Sequence, residues 1–250
     1  MAALALTREN FVLHKLQSLT GIVPVGFYMV QHLLLNSFAL AGEDSFNGVI
    51  SFFDSIPPHV LLLIEAVFIW IPLLFHAIYG VLIIGRAKPN FLGTKYGWSQ
   101  NRMYFFQRVS GIVVFFFLIV HYAMTTGSKY LNHTSVYIQY AHWHQLMSGP
   151  KGIAWMLFYL IGVLSASYHL GYGIWNFCIR WGITIGEKAQ IRVQQFSLVV
   201  FVALTVIGWA TLFKFMSGSG PNVSSESPGA PRMGQVGPKT TEVSFTRQPV

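Results

Sequence analysis

Four histidines standing inside long apolar stretches constrain this chain more than any other feature. They are His32 in "FYMVQHLLLNSFAL", His76 in "PLLFHAIYG", His121 in "FFLIVHYAM" and His169 in "SASYHLGYG". Crossing about 30 Å of hydrocarbon takes roughly 18–20 apolar residues in a helix. Five such runs occur, near 19–41, 60–85, 109–126, 152–179 and 196–213. Hydrophobic residues make up 53% of the chain, charged residues 10%, and mean hydropathy is +0.52. A water-soluble surface carries far more charge than that. The first run starts too deep in the chain, and continues too far, for a cleaved signal peptide. The expected fold class is therefore all-α, a bundle of five transmembrane helices.

Charge placement orients the bundle. Net charge is +8, but it is not spread as a nucleic-acid surface would be. The linker "GRAKPNFLGTKYGWSQNRMYFFQR" holds Arg86, Lys88, Lys95, Arg102 and Arg108 and no acid, and "IRWGITIGEKAQIR" adds Arg180, Lys188 and Arg192 against Glu187. The loop at 39–60 carries Glu43, Asp44 and Asp54 and no Lys or Arg, and the loop at 127–151 has only Lys129 and Lys151. Basic loops stay cytoplasmic, so the N-terminus is expected inside and the C-terminus outside. Residues 216–250 turn abruptly to Gly, Ser and Pro, a composition that cannot build a core. The expected organisation is a membrane domain over 1–215 and a flexible external tail over 216–250.

Cys178 is the only cysteine. An internal disulfide, a four-thiolate iron–sulfur cluster and thioether-bound haem are thereby excluded.

The chain repeats itself. "QSLTGIV" at 17–23 and "QRVSGIV" at 107–113 share Q-x-x-[ST]-G-I-V, and "FHAIYG" at 75–80 and "YHLGYG" at 168–173 share [FY]-H-x-x-Y-G. The offsets are 90 and 93 residues. Two motifs in one order at nearly one offset imply two related helical hairpins, I–II and III–IV, followed by a fifth helix.

Depth then pairs the histidines. His32 lies 17 residues past Lys15 and His121 lies 13 past Arg108, which is about 20–25 Å from the inner edge. His76 precedes Arg86 by 10 residues and His169 precedes Arg180 by 11, about 15–16 Å from that edge. One pair sits high on helices I and III, the other lower on II and IV. Metal ions in helix bundles are held between side chains of facing helices in this way. Gly21 and Ser110 each precede an outer histidine by eleven residues, about 20° out of line on one helix face. Together with Gly80, Gly162 and Gly173 they are expected to clear space for a flat ligand; small residues also simply let membrane helices pack closely.

The donor set decides among metals. Zinc takes three or four ligands at one depth, commonly with Cys or carboxylate, and copper favours Cys or Met. Two imidazoles with no open position suit haem iron used for electron transfer. Two b haems stacked across the membrane are expected, with His32, His76, His121 and His169 as the iron ligands.

Within that frame "HKLQSLTGIVPVGFYMVQHLLLNS", "QRVSGIVVFFFLIVHYA" and "YHLGYGIWNFCIRWG" resemble the dihaem cytochrome b membrane anchor of bacterial succinate dehydrogenases and fumarate reductases. The resemblance spans 11–214 and carries all four histidines in order. It implies an outer haem on His32 and His121 and an inner haem on His76 and His169, in agreement with the depth argument. It further implies a bacterial cytoplasmic membrane location, a flavoprotein subunit, an iron–sulfur subunit and a menaquinone or other quinone. The chain would then be the membrane subunit of the complex, with succinate handled on the soluble partners. Some quinol-oxidising members carry a proton-conducting glutamate near the last haem ligand, whereas helix V here has no acid from Phe196 to Phe213.

Secondary candidates remain. Glu65 is the only acid within a span and precedes His76 by eleven residues. As an ionisable intramembrane group, it is a candidate proton relay for quinone near the outer haem; a solvated acid at the helix mouth explains it as well. Gln31 and Asn36 are candidate quinone hydrogen-bond donors. Arg86, Arg108 and Arg180 are candidate partners for inner-haem propionates, since Arg pairs well with carboxylates; the same charges serve equally as a topology signal. His14, His59 and His133 read as solvated, and "HWH" at 142–144 as part of an aromatic external surface. Two rival functions stay open: the cytochrome b subunit of a hydrogenase or formate dehydrogenase, and a haem-free transporter or structural anchor with proton-relay histidines.

Overall fold

The computed structural model describes residues 2–86 and 99–218, with side chains over 11–85 and 101–218. The side chain of Arg86, together with Lys88, Lys95 and the tail beyond 218, lies outside the described residues. Every described element is helical, and five helical stretches are long and apolar enough to cross a membrane: Phe11–Ala41, Pro58–Gly85, Asn101–Asn132, Gly152–Arg180 and Glu187–Ser217. They extend past the apolar runs, because a helix keeps its hydrogen bonds into the polar flanks.

The first span is broken. Helix α1 (Ala2–Ile22) gives way to α2 (Val25–Asn36) at Pro24. Proline has no N–H for the carbonyl four residues back and its ring crowds that turn. A 3₁₀ turn (Ser37–Ala41) and the short helix α3 (Glu43–Asp54) follow on the far side. The second span also contains a defect. Helix α4 (Pro58–Glu65) passes through a π turn (Ala66–Trp70) into α5 (Ile71–Arg86). The cause is Pro72. It cannot donate to the Phe68 carbonyl, and the ladder widens so that the Ile71 N–H bonds five residues back to Ala66.

The third span runs from α6 (Ser99–Tyr122) through a second π turn (Ala123–Gly127) into α7 (Ser128–Asn132). Here side-chain hydroxyls enter the ladder, Thr125 donating to the His121 carbonyl at 2.6 Å and Ser128 to that of Ala123 at 2.7 Å. Helix α8 (Tyr140–Ser148) caps the far side before α9 (Gly152–Arg180) and α10 (Glu187–Ser217) form the fourth and fifth spans.

Neighbour relations arrange the first four spans as a square. Helix α1 packs on α5 and α9, α6 packs on α9, and α10 lies outside against α9 and α2. The first and third spans are thus diagonal, as are the second and fourth. The α9–α10 contact is the most extensive, and small residues make it so. A Cβ at Gly171 would come within 2.8 Å of the Ser197 carbonyl, and one at Gly208 within 2.6 Å of Val163. The buried cluster sits toward the far side, where Phe46, Phe117, Tyr140, Trp143, Tyr159 and Phe215 interlock.

Candidate functional site

Histidines come together across the diagonals. The rings of His32 and His121 have centroids 5.8 Å apart at 80°, and those of His76 and His169 are 6.1 Å apart at 86°. The pairing is the one expected from depth. One metal ion held by both rings, with metal–imidazole bonds of about 2.0–2.1 Å, would call for ring centroids roughly 6 Å apart. Both pairs already have that spacing. No group of three or more His, Cys, Asp or Glu converges among the described residues.

The basic-side pair, His76 with His169, is held in one tautomer. His76 Nδ1 lies 2.8 Å from the Gln17 main-chain oxygen, and His169 Nδ1 lies 3.1 Å from that of Gln107. A carbonyl only accepts, so each Nδ1 carries the proton and each Nε2 is left with a free lone pair. That is the arrangement of a ligating histidine with its supporting acceptor. Gln17 and Gln107 are the first residues of the two copies of Q-x-x-[ST]-G-I-V, so the repeat sets the two acceptors at equivalent positions. Its glycines serve the same end. A Cβ on Gly21 would overlap the His76 ring, and one on Gly111 would come within 2.9 Å of His169 Cε1. The second motif fits around the first: a Cβ on Gly80 would lie 3.8 Å from the Gln17 side-chain amide, and one on Gly173 would lie 3.7 Å from that of Gln107.

Those contacts correct one expectation. Eleven-residue spacing alone puts Gly21 on the His32 face. The break at Pro24 intervenes, and Gly21 instead admits the His76 ring. Ser110, on the unbroken helix of His121, lies 3.4 Å from His169 Nδ1, and Gly162 admits the Phe117 ring rather than a flat ligand.

The far-side pair is built differently. Asn36 donates to the His32 carbonyl at 2.7 Å, matching the Thr125 bond to the His121 carbonyl. His121 Nδ1 lies 3.3 Å from the Tyr159 hydroxyl, and its ring stacks on Phe117 at 5.5 Å. Trp143 packs at 5.2 Å from Tyr159 and 6.3 Å from His121. The "HWH" stretch is therefore not wholly surface: Trp143 is buried, and His144 bonds the Phe215 carbonyl at 2.8 Å. His142 lines a cavity of about 360 Å³ with Gln145, Lys151 and Trp155, and burial lowers its imidazole from the usual range. Tyr159 was missed in the sequence, although it precedes His169 by ten residues. Rise per residue, about 15 Å toward the far side from His169, puts it about 30 Å from the inner edge, beyond the depth read for His121, so spacing alone does not join the two.

Other candidates are scattered. Gln31 is exposed on the bundle's outside. Glu65 accepts from the Tyr130 hydroxyl at 2.9 Å. The π turn between Glu65 and His76 shifts the helix register, so the eleven-residue spacing does not set Glu65's face. Arg108 lies over the Tyr104 ring at 3.9 Å and bonds its hydroxyl, and Arg180 donates to the His14 carbonyl at 3.2 Å. His14 packs edge-on against Tyr79 at 5.4 Å rather than standing free in solvent, whereas His59 and His133 are exposed.

A square of membrane-crossing helices that offers two imidazoles across each diagonal defines a membrane protein of the b-cytochrome class. No protein-family model matches the chain. Over 208 residues, 83% of this chain and 98% of the relative, it is 34% identical to the succinate dehydrogenase cytochrome b558 subunit of Bacillus subtilis (strain 168). The chain belongs to the family of succinate dehydrogenase cytochrome b subunits.

Proposed function

We propose that the chain is the membrane anchor of a succinate:quinone oxidoreductase and holds two b haems, one between His76 and His169 and one between His32 and His121. The observation that carries this reading is the matched ring spacing of 6.1 and 5.8 Å, together with Nδ1 protons fixed on the Gln17 and Gln107 carbonyls. Bound there, the haems supply one-electron transfer between a soluble iron–sulfur partner and a membrane quinone. The chain's own part is positional. The glycines admit the rings, the carbonyls orient them, and the apolar bundle keeps water from the iron ligands.

The basic side, with Lys15, Arg108 and Arg180, is read as cytoplasmic. A flavoprotein and an iron–sulfur subunit would dock there, with the haem of His76 and His169 nearest to them. Menaquinone or another quinone would react beside the far-side pair, because a second haem is useful only if electrons move away from the docking face. Arg108 and Arg180 remain proposed neighbours of carboxylates at that face, by propionate pairing or by docking.

Single replacement of His32 or His121 by Ala should remove one haem, and of His76 or His169 the other. Haem-to-protein ratio and the reduced-minus-oxidised spectrum of the purified complex read this directly. Full haem content in both variants of one pair would overturn the assignment of that pair.

A further inference from the structure

We infer that Tyr159 is a positioning residue that sets the electron-donating strength of His121, and so the potential of the far-side haem alone. The inference rests on the reading that iron lies between His32 and His121. If Nε2 of His121 binds iron, Nδ1 must hold the ring's proton and donate it. The Tyr159 hydroxyl oxygen, 3.3 Å away, is the acceptor. The opposite polarity, with the phenol donating to Nδ1, would leave the proton on Nε2 and block ligation.

This acceptor differs in kind from those on the basic side. His76 and His169 face amide carbonyls, which are strong acceptors and cannot be substituted. Tyr159 offers a phenol oxygen, a weaker acceptor whose own proton rotates. Its surroundings hold it still: the side chain is 3% exposed, between Phe117 at 5.5 Å, Phe158 at 5.4 Å and Trp143 at 5.2 Å. Donation from Nδ1 raises ligand basicity, and a more basic ligand favours ferric over ferrous iron. The two haem levels thus carry ligand supports of different strength, one built from main chain and one from a single replaceable hydroxyl.

The test is Tyr159→Phe in the assembled complex, with redox titration of each haem and haem content measured together. The ring packing survives, and only the acceptor is lost. The far-side potential should move upward, the basic-side potential should stay, and both haems should remain. Site-specific 3-fluorotyrosine at 159, nearly the same shape with a weaker acceptor oxygen, should shift the far-side potential in the same direction by less. An unmoved far-side potential, or an equal shift of both haems, would each overturn the inference. Failure of the haem assignment shows separately, as unchanged haem content in His121→Ala.

Discussion

His76 Nδ1 sits 2.8 Å from the main-chain oxygen of Gln17, a residue 59 positions earlier in the chain. The second hairpin repeats the relationship between His169 and Gln107 at 3.1 Å. A sequence motif on one helix therefore orients a histidine on the next, and it does so with backbone rather than side chain.

That division of labour gives the first prediction. Gly21→Ala should cost the complex most of its basic-side haem, because the added methyl overlaps the His76 ring. Gly111→Ala should do the same more mildly, since its closest approach to His169 is 2.9 Å. Gln17→Ala keeps the carbonyl and should keep the haem. Gln107→Ala also loses the 3.0 Å bond from its amide to the His169 carbonyl, a loss of about 0.5–1.5 kcal/mol, and should still bind haem. Haem content measured across the four variants decides whether backbone or side chain holds the site.

The contrast also shows what the sequence made legible. Five spans, the hairpin repeat and the pairing of the histidines follow from hydropathy, self-similarity and rise per residue, which survive local irregularity. Rotational arguments do not. A proline at 24 and a π turn driven by Pro72 each shift helix phase, so residues eleven apart no longer share a face. That is why Gly21 belongs to His76 rather than His32, and why the face of Glu65 was not readable. Tyr159 escaped notice because it belongs to neither repeat motif, and Trp143 because its segment is polar enough to pass for surface.

A second prediction concerns the far-side loops. Lys129 bonds Asp54 at 2.6 Å, tying the end of the third span to α3. Partial burial disfavours the Asp54 carboxylate, but hydrogen bonds from Lys129 and Ser135 and the charge of Lys129 outweigh it and hold the carboxyl below its usual range. A lowered folded-state value means the tie is fully present above the ordinary aspartate range and is lost as pH falls below that range through the lowered value. Lys129→Ala should lower stability by less than about 1 kcal/mol, as exposed pairs do. Thermal melts in detergent should show that difference at neutral pH and a shrinking one as pH falls below the ordinary aspartate range, with haem content at neutral pH unaffected.

Docking supplies the third. Lys15 lies over both the Phe11 and Trp181 rings at about 5 Å, beside the Arg180 bond to His14. Arg108 rests on Tyr104. These contacts hold cationic heads against aromatic faces on the side proposed to meet the iron–sulfur partner. Paired charge reversal at Arg108 and Arg180 should weaken capture of the soluble subunits at least several-fold, and the loss should deepen with salt. Assembly at wild-type level would leave these arginines as a topology signal only.

The last prediction places proton delivery at Glu65. Its carboxylate accepts from Tyr130 on the third span, and the Tyr28 ring lies 5.5 Å from that of His32. Glu65 is the carboxyl group of the second span at its far-side end, the last residue of the eight-residue helix that starts at Pro58. A quinone that takes two electrons must also take two protons, and a positioned carboxyl group contributes roughly 10²–10⁴-fold to such transfers. Glu65→Gln keeps the shape and the bond from Tyr130 but cannot carry a proton. Quinone reduction by succinate should fall by at least tenfold, while both haems stay bound and are still reduced by succinate. Tyr130→Phe should lower turnover less, because it loosens the carboxylate without removing it. Measuring haem reduction and quinone turnover on one preparation separates the two steps, and wild-type turnover in Glu65→Gln would remove this residue from the proton path.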